Sequence, residues 1–195
     1  FIPASVEFIG DEAFRASWEL DGLSVADDNP YYRTENGVLY DKDKTELYFW
    51  PHRLKVVIPD TVRKIADWAI YENYTLSGAS LELPSSVTNV GAFAFGYCQL
   101  KEIILKDGLV SIGDYAFSGN ALRCLVVPST VKALGSLASC NELSAVFFKG
   151  NAPECNPWSL YSEVSEELTT FVRAGTTGWV DEGSSELPEL WPADG

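Results

Sequence analysis

Leu83 to Leu105 reads LPSSVTNVGAFAFGYCQLKEIIL, and Leu105 to Val127 reads LKDGLVSIGDYAFSGNALRCLVV. Laid one over the other, they place Val87 on Leu109, Val90 on Ile112, Gly91 on Gly113 and Ala94-Phe95 on Ala116-Phe117. Leu100, Ile103 and Leu105 fall on Leu122, Leu125 and Val127, and Gly91, Gly113 and Gly135 lie 22 residues apart. A fixed period of this length marks stacked units, each too small to bury its own apolar face. The unit is a 22-mer with an aliphatic-Pro pair, then V-x-x-I-G, then x-x-A-F, then L-x-x-I-x-L.

Working outward, the aliphatic-Pro pair recurs as Ile2-Pro3, Ile58-Pro59, Leu83-Pro84 and Val127-Pro128. The pairs Val6/Ile9, Val62/Ile65, Val87/Val90, Leu109/Ile112 and Val131/Leu134 are predicted to point inward and stack coil upon coil. Ala13-Phe14, Ala94-Phe95 and Ala116-Phe117 supply a small residue for a tight helical turn and an aromatic to fill the core. The Gly before each turn suits a backbone that bends where a Cβ would obstruct. Ser17, Asn73, Cys98 and Asn120 share the seventh position after that Gly or its substitute. A small polar side chain there can bond turn backbone left unpaired. The L-x-x-I-x-L column reads as a short strand, ended by the Pro that follows. Ala66 replaces the Gly and Ile70 the Phe in one coil, and the turn from Gly135 to Cys140 is shortened and lacks its Phe.

Two segments leave the period. Within 26–57, Asn36-Gly37 and the Asp-Lys-Asp-Lys turn sit between apolar strands, which predicts a small antiparallel excursion. Residues 150–195 read as a C-terminal cap and acidic tail, since an unstacked end coil would expose core. The expected organisation is one domain over 1–195. Its parts are a first repeat at 1–25, an irregular hairpin repeat at 26–57, regular repeats at 58–149 and the cap at 150–195.

The anchors carry a resemblance. I-P-x-x-V-x-x-I-G-x-x-A-F, matched by Ile2 to Phe14 and closely by Leu83 to Phe95, resembles the BspA-like leucine-rich-repeat proteins of bacterial cell surfaces. The inserted NPYY, GVLY and TELYFWP segments look like that family's elongated repeat. FKGNAP at Phe148 to Pro153 and VRAGTTGW at Val172 to Trp179 resemble its usual ending. The likeness covers nearly the whole chain, broken mainly over 154–167. It implies a β-rich α/β solenoid of stacked coils of about 22 residues with short helical turns. It also implies an extracellular or cell-surface location and a part in adhesion, with no family catalytic motif to carry over.

Composition sets the function classes aside. Hydrophobic residues make up 46% and charged residues 22%, a globular profile. The net charge of −14, from 28 acidic against 14 basic residues, repels phosphate backbones and anionic lipid, so neither nucleic acid nor a membrane surface is an expected partner. No apolar run reaches the length of a membrane-spanning helix. Phe1 opens directly on patterned sequence, and the absence of Met fits a natural beginning upstream, where an export signal would lie. Cys98, Cys124, Cys140 and Cys155 contain no C-x-x-C pair, which argues against zinc and for mostly free, buried thiols.

Catalysis would rest on His52, the one histidine, standing after Trp50-Pro51 with no nucleophile in signature context. Asp41, Asp43 and Glu46 lack the Gly and remaining ligands of a calcium loop and read as a hairpin turn, and Asp27-Asp28-Asn29 likewise as a turn. The expectation is a non-enzymatic module needing no cofactor. Two columns are free of core duty. Counting the outward strand residue of each coil gives Ser24, Val57, Glu82, Ile104, Val126 and Phe147, apolar from Ile104 onward where a solvated face would be polar. Two residues past each Gly position come Glu12, Trp68, Phe93 and Tyr115, aromatics that can anchor a protein, stack on sugar rings, or simply ladder the solenoid edge. The predicted activity is contact with a host or matrix protein or a glycan through Val57, Glu82, Ile104, Val126, Phe147, Trp68, Phe93 and Tyr115. The rival is a structural spacer, which would leave both columns covered or interrupted.

Overall fold

The computed structural model describes residues 1–10, 12–15, 17, 19–156, 160–162, 164, 167–179 and 189–191. Trp18, Trp158 and most of the acidic tail, 181–188 and 192–195, lie outside the described residues. The chain winds as a solenoid, and each regular coil carries two short strands where the sequence pattern showed one. The V-x-x-I column forms the first: β4 (Lys64–Ile65), β6 (Asn89–Val90), β8 (Ser111–Ile112) and β10 (Ala133–Leu134), paired in parallel in that order. The L-x-x-I-x-L column forms the second: β5 (Ser80–Glu82), β7 (Glu102–Ile104), β9 (Cys124–Val127) and β11 (Ala145–Phe148). β12 (Thr169–Arg173) and β13 (Glu189–Trp191), within the segment expected as the cap, continue the parallel ladder beyond β11.

The stacked interior follows the anchor columns. Val62, Ile65, Val87, Val90, Leu109, Ile112, Val131 and Leu134 are buried, and the Phe95 and Phe117 rings stack at 6.1 Å with almost no exposure. Coils approach closely at the glycines: a Cβ on Gly113 would stand 2.5 Å from the Ala92 nitrogen. Ala66 is tolerated at the equivalent position because its coil stacks on β3 (Glu46–Phe49), its N–H donating to the Leu47 carbonyl.

The expected short helical turns take the form of consecutive hydrogen-bonded turns with left-handed residues, and among the described residues 3-10 helix is found at Tyr74–Leu76. Trp68, Phe93 and Tyr115 have φ of 61°, 53° and 57°. That conformation costs an L-residue about 1–2 kcal/mol. It turns their N–H groups along the stack to donate to the Ala92, Asp114 and Ser136 carbonyls of the next coil at 2.9, 3.0 and 2.8 Å. Buried amides without partners would cost more, so the bonds hold the geometry. Asp67 and Asp114 add a rung, each accepting the N–H of Ala92 or Ser136 at 2.8 Å.

The small polar column works as its position suggested. Asn120 is buried; its Nδ2 donates to the Phe95 and Phe117 carbonyls, and its Oδ1 accepts the Leu100 N–H. Cys98 donates its thiol to the Ile70 carbonyl, and Asn73 its amide to the Pro51 carbonyl. In the shortened turn, Cys140 takes the same duty toward Phe117. Burial pushes the Cys98 and Cys140 thiols up to about 12, which keeps them protonated as donors.

The antiparallel excursion is a three-stranded meander of β1 (Tyr32–Glu35), β2 (Val38–Asp41) and β3, joined to the solenoid where β3 pairs in parallel with β4. Asn36 and Gly37, at φ 52° and 82°, make the tight turn between β1 and β2. Asp41 closes the next one, its carboxylate accepting the Thr45 N–H and hydroxyl and the Glu46 N–H. The meander is apolar on both faces. Leu39 and Phe49 pack toward the first coil, whereas Val38, Tyr40, Leu47 and Trp50 join the main core, so the interior divides in two. Asn29, fully buried, ties the first coil to the meander: its Nδ2 donates to the Pro3 and Val6 carbonyls and its Oδ1 accepts the Tyr31 and Tyr32 N–H groups.

Candidate functional site: the outward strand face

The second strands expose one face to solvent. On it Glu82 pairs with Ile104, and Val126 with Phe147, which in turn pairs with Phe171 of β12. Phe171 was not expected; its coil lacks the V-x-x-I-G-x-x-A-F anchors, so the pattern offered no count to reach it. Phe147 and Phe171 lie face to face at 4.6 Å and 8°. Ile104 is 36% exposed and Val126 half-buried, whereas the alternate residues Ile103, Leu125 and Val146 are buried. Val57 is 65% exposed but stands outside the strands, and Ser24 lies beside the isolated bridge between Ile2 and Val25. The structure therefore brings Glu82, Ile104, Val126 and Phe147 onto one face and leaves Val57 apart.

That face is not a continuous ladder. β5 and β7 form one sheet, β9, β11, β12 and β13 another, and between β7 and β9 opens a groove of about 650 Å³. Ile104 and Val126 line it with Glu102, Lys101, Arg123 and Lys149. Cys124 is exposed there as a free thiol, its pKa raised by partial burial and by the Glu102 carboxylate. Glu82 is engaged by Lys106 at 2.6 Å. The cationic side chains escaped the sequence reading because charge falls in non-anchor columns, although Lys101 and Arg123 do share one.

The aromatic column gathers on the turn side of the coils. Trp68 and Phe93 stack at 4.1 Å, Phe93 and Tyr115 at 4.8 Å, and the Arg15 guanidinium sits 4.5 Å over Trp68. Both faces of Trp68 and Phe93 and one face of Tyr115 thus meet a neighbour, and Trp68 is only 8% exposed. Glu12, in the same column, ion-pairs with Arg15. Such a file of rings stabilises neighbouring coils by roughly 0.5–1.5 kcal/mol per pair.

Among the described residues, no group of three or more His, Cys, Asp or Glu is arranged to hold a metal. His52 is half-buried with its ring 6.3 Å from Phe49. No described helix is long and apolar enough to cross a membrane.

Comparison with known proteins agrees with this architecture. The profile of the BspA type leucine-rich repeat region matches residues 71–173 in six copies. Among solved structures, the pneumococcal vaccine antigen PcpA is 27% identical with a TM-score of 0.74, over 91% of this chain and 44% of its own. A leucine-rich cell surface protein from Faecalibacterium prausnitzii A2-165 has the same fold, at 24% identity and a TM-score of 0.74, over 90% of this chain and 47% of its own. A leucine-rich-repeat protein from Eubacterium ventriosum follows at 24% identity and a TM-score of 0.53, over 88% of this chain and 41% of its own. The chain therefore spans less than half the length of each of these proteins. A search of curated protein sequences finds no match. With the repeat profile covering more than half of its residues, the chain belongs to the BspA-type leucine-rich-repeat family.

Proposed function

We propose that the chain is a non-catalytic, adhesin-like binding module, displayed extracellularly or at a bacterial cell surface, that contacts a protein or glycan through its outward strand face. The observation that carries this is the run Ile104, Val126, Phe147 and Phe171, apolar side chains on the outward side of two neighbouring sheets where alternation would place polar ones. The strip is interrupted between β7 and β9, but the interruption is an open groove lined by Ile104 and Val126, for which a pure spacer has no use. The names of two solved relatives, a vaccine antigen and a cell surface protein, support the location. The aromatic column contributes less to this reading because both faces of Trp68 and Phe93 and one face of Tyr115 are already covered. The binding role needs no cofactor.

The test is a screen of the purified chain against immobilised matrix proteins and glycans, repeated with Ile104→Ser, Val126→Ser and Phe147→Ser combined. Loss of a small apolar cluster at the centre of an interface costs at least about 2–3 kcal/mol, so affinity should fall about 100-fold. Circular dichroism should show an unchanged fold. Unaltered affinity in the triple variant would remove the strand face as the contact surface.

A further inference from the structure

The groove between β7 and β9 has a charge opposite to that of the molecule. The chain carries 28 acidic and 14 basic residues, yet Lys101, Arg123 and Lys149 all line this one depression. Lys101 and Arg123 precede β7 and β9 on adjacent coils, while Lys149 directly follows β11, so the cations frame the strand face at both edges. Among the described residues neither Lys101 nor Lys149 is in an ion pair. Arg123 is only 3.9 Å from Glu142, with 83% of its side chain exposed. Glu102, the acidic member of the lining, is engaged by the Ser80 hydroxyl at 2.5 Å. Between the cationic edges the floor is aliphatic, formed by Ile104 and Val126.

Resting on the strand face as the contact surface, we infer that this groove takes an extended acidic polypeptide segment whose carboxylates alternate with aliphatic side chains. Two cations without ion-pair partners among the described residues and a third in a long, exposed pair attract a negative ligand in an acidic molecule, and guanidinium and ammonium groups bond carboxylates with charge assistance. The floor decides between anionic classes. A sugar ring presents polarised C–H groups that favour an open aromatic face, and the nearby rings of Phe147 and Phe171 are stacked on each other. Valine- or leucine-like side chains fit a floor of Ile104 and Val126, and the long, exposed side chains of Lys101, Arg123 and Lys149 can rise beside the chain to meet the carboxylates that alternation turns away from the floor.

Fluorescence anisotropy with the whole chain and two labelled peptides of equal length, one alternating Val and Glu and one alternating Val and Gln, tests this directly. The Val-Glu peptide should bind, the Val-Gln peptide should bind at least about tenfold more weakly, and the difference should shrink as salt rises from about 0.05 to 0.5 M. Combined Lys101→Glu and Arg123→Glu should weaken the Val-Glu peptide at least about tenfold, whereas the equal charge change Lys55→Glu and Arg63→Glu, at exposed sites outside the groove, should not. Equal binding of the two peptides, no saturable binding at about 1 mM, or equal loss in both double variants would overturn the inference. So would a heparin oligosaccharide binding at the groove while the Val-Glu peptide does not. A partner from the screen that is lost with the Ile104, Val126 and Phe147 changes but kept with Lys101→Glu and Arg123→Glu would refute the acidic occupant alone.

Discussion

Phe117→Ala is expected to lower stability by about 3–5 kcal/mol, because the ring is 1% exposed and its removal leaves a cavity in the packed interior. Its neighbour Phe95 stacks on it at 6.1 Å, and Cys140 and Asn120 both donate to its carbonyl, so the cavity opens at a point where adjacent coils are tied together. For a domain of this size that corresponds to a melting temperature lower by roughly 6–20 °C. Since each coil contacts only its neighbours, the loss should be local: hydrogen exchange should accelerate most in the coils around β6, β8 and β10. Phe117→Leu, which keeps most of the volume, should cost under about 1.5 kcal/mol. Thermal melts of the two variants check the contrast; equal small shifts would mean that the ring is not a core element.

Asn120→Ala should be nearly as damaging although it removes fewer atoms. The variant leaves the Leu100 N–H and the Phe95 carbonyl buried without their partner, at about 1–3 kcal/mol per stranded group unless water enters, while the Phe117 carbonyl keeps the Cys140 thiol. The expected loss is about 2–5 kcal/mol in urea unfolding. Asn120→Asp should be at least as harmful, because it removes the two amide donors and buries a carboxylate facing carbonyl oxygens. A loss below about 0.5 kcal/mol for the alanine variant would show that the polar column is incidental.

The parts of this molecule that could be read from its sequence are those imposed by stacking. Val87, Val90, Phe95 and their counterparts recur because every coil must fill the same space; those of the regular coils are buried, whereas Val6, Ile9 and Phe14 in the first coil are only half-buried. The Asn73, Cys98 and Asn120 column was legible for the same reason, since each turn leaves the same carbonyl to satisfy. The first strand of each coil was hidden because it is two residues long, too short to show alternation. The left-handed backbone at Trp68, Phe93 and Tyr115 was hidden because bulky side chains ordinarily signal the opposite; intercoil bonding, a tertiary effect, overrides local preference. At the outward face, Ile104, Val126 and Phe147 followed from period two. The break between β7 and β9, and the gathering of cations around it, arise from how two coils meet in space, which no spacing of residues records.

Hydroxyl-radical footprinting of the chain, free and bound to a partner retained in the screen, bears most directly on the binding face. The account predicts that Ile104, Val126 and Phe147 lose reactivity on binding, while Tyr74 and Tyr97, exposed on the turn side, keep theirs. Protection of Tyr74, Tyr97 and the Trp68, Phe93 and Tyr115 file, with the strand face as reactive as before, would contradict it.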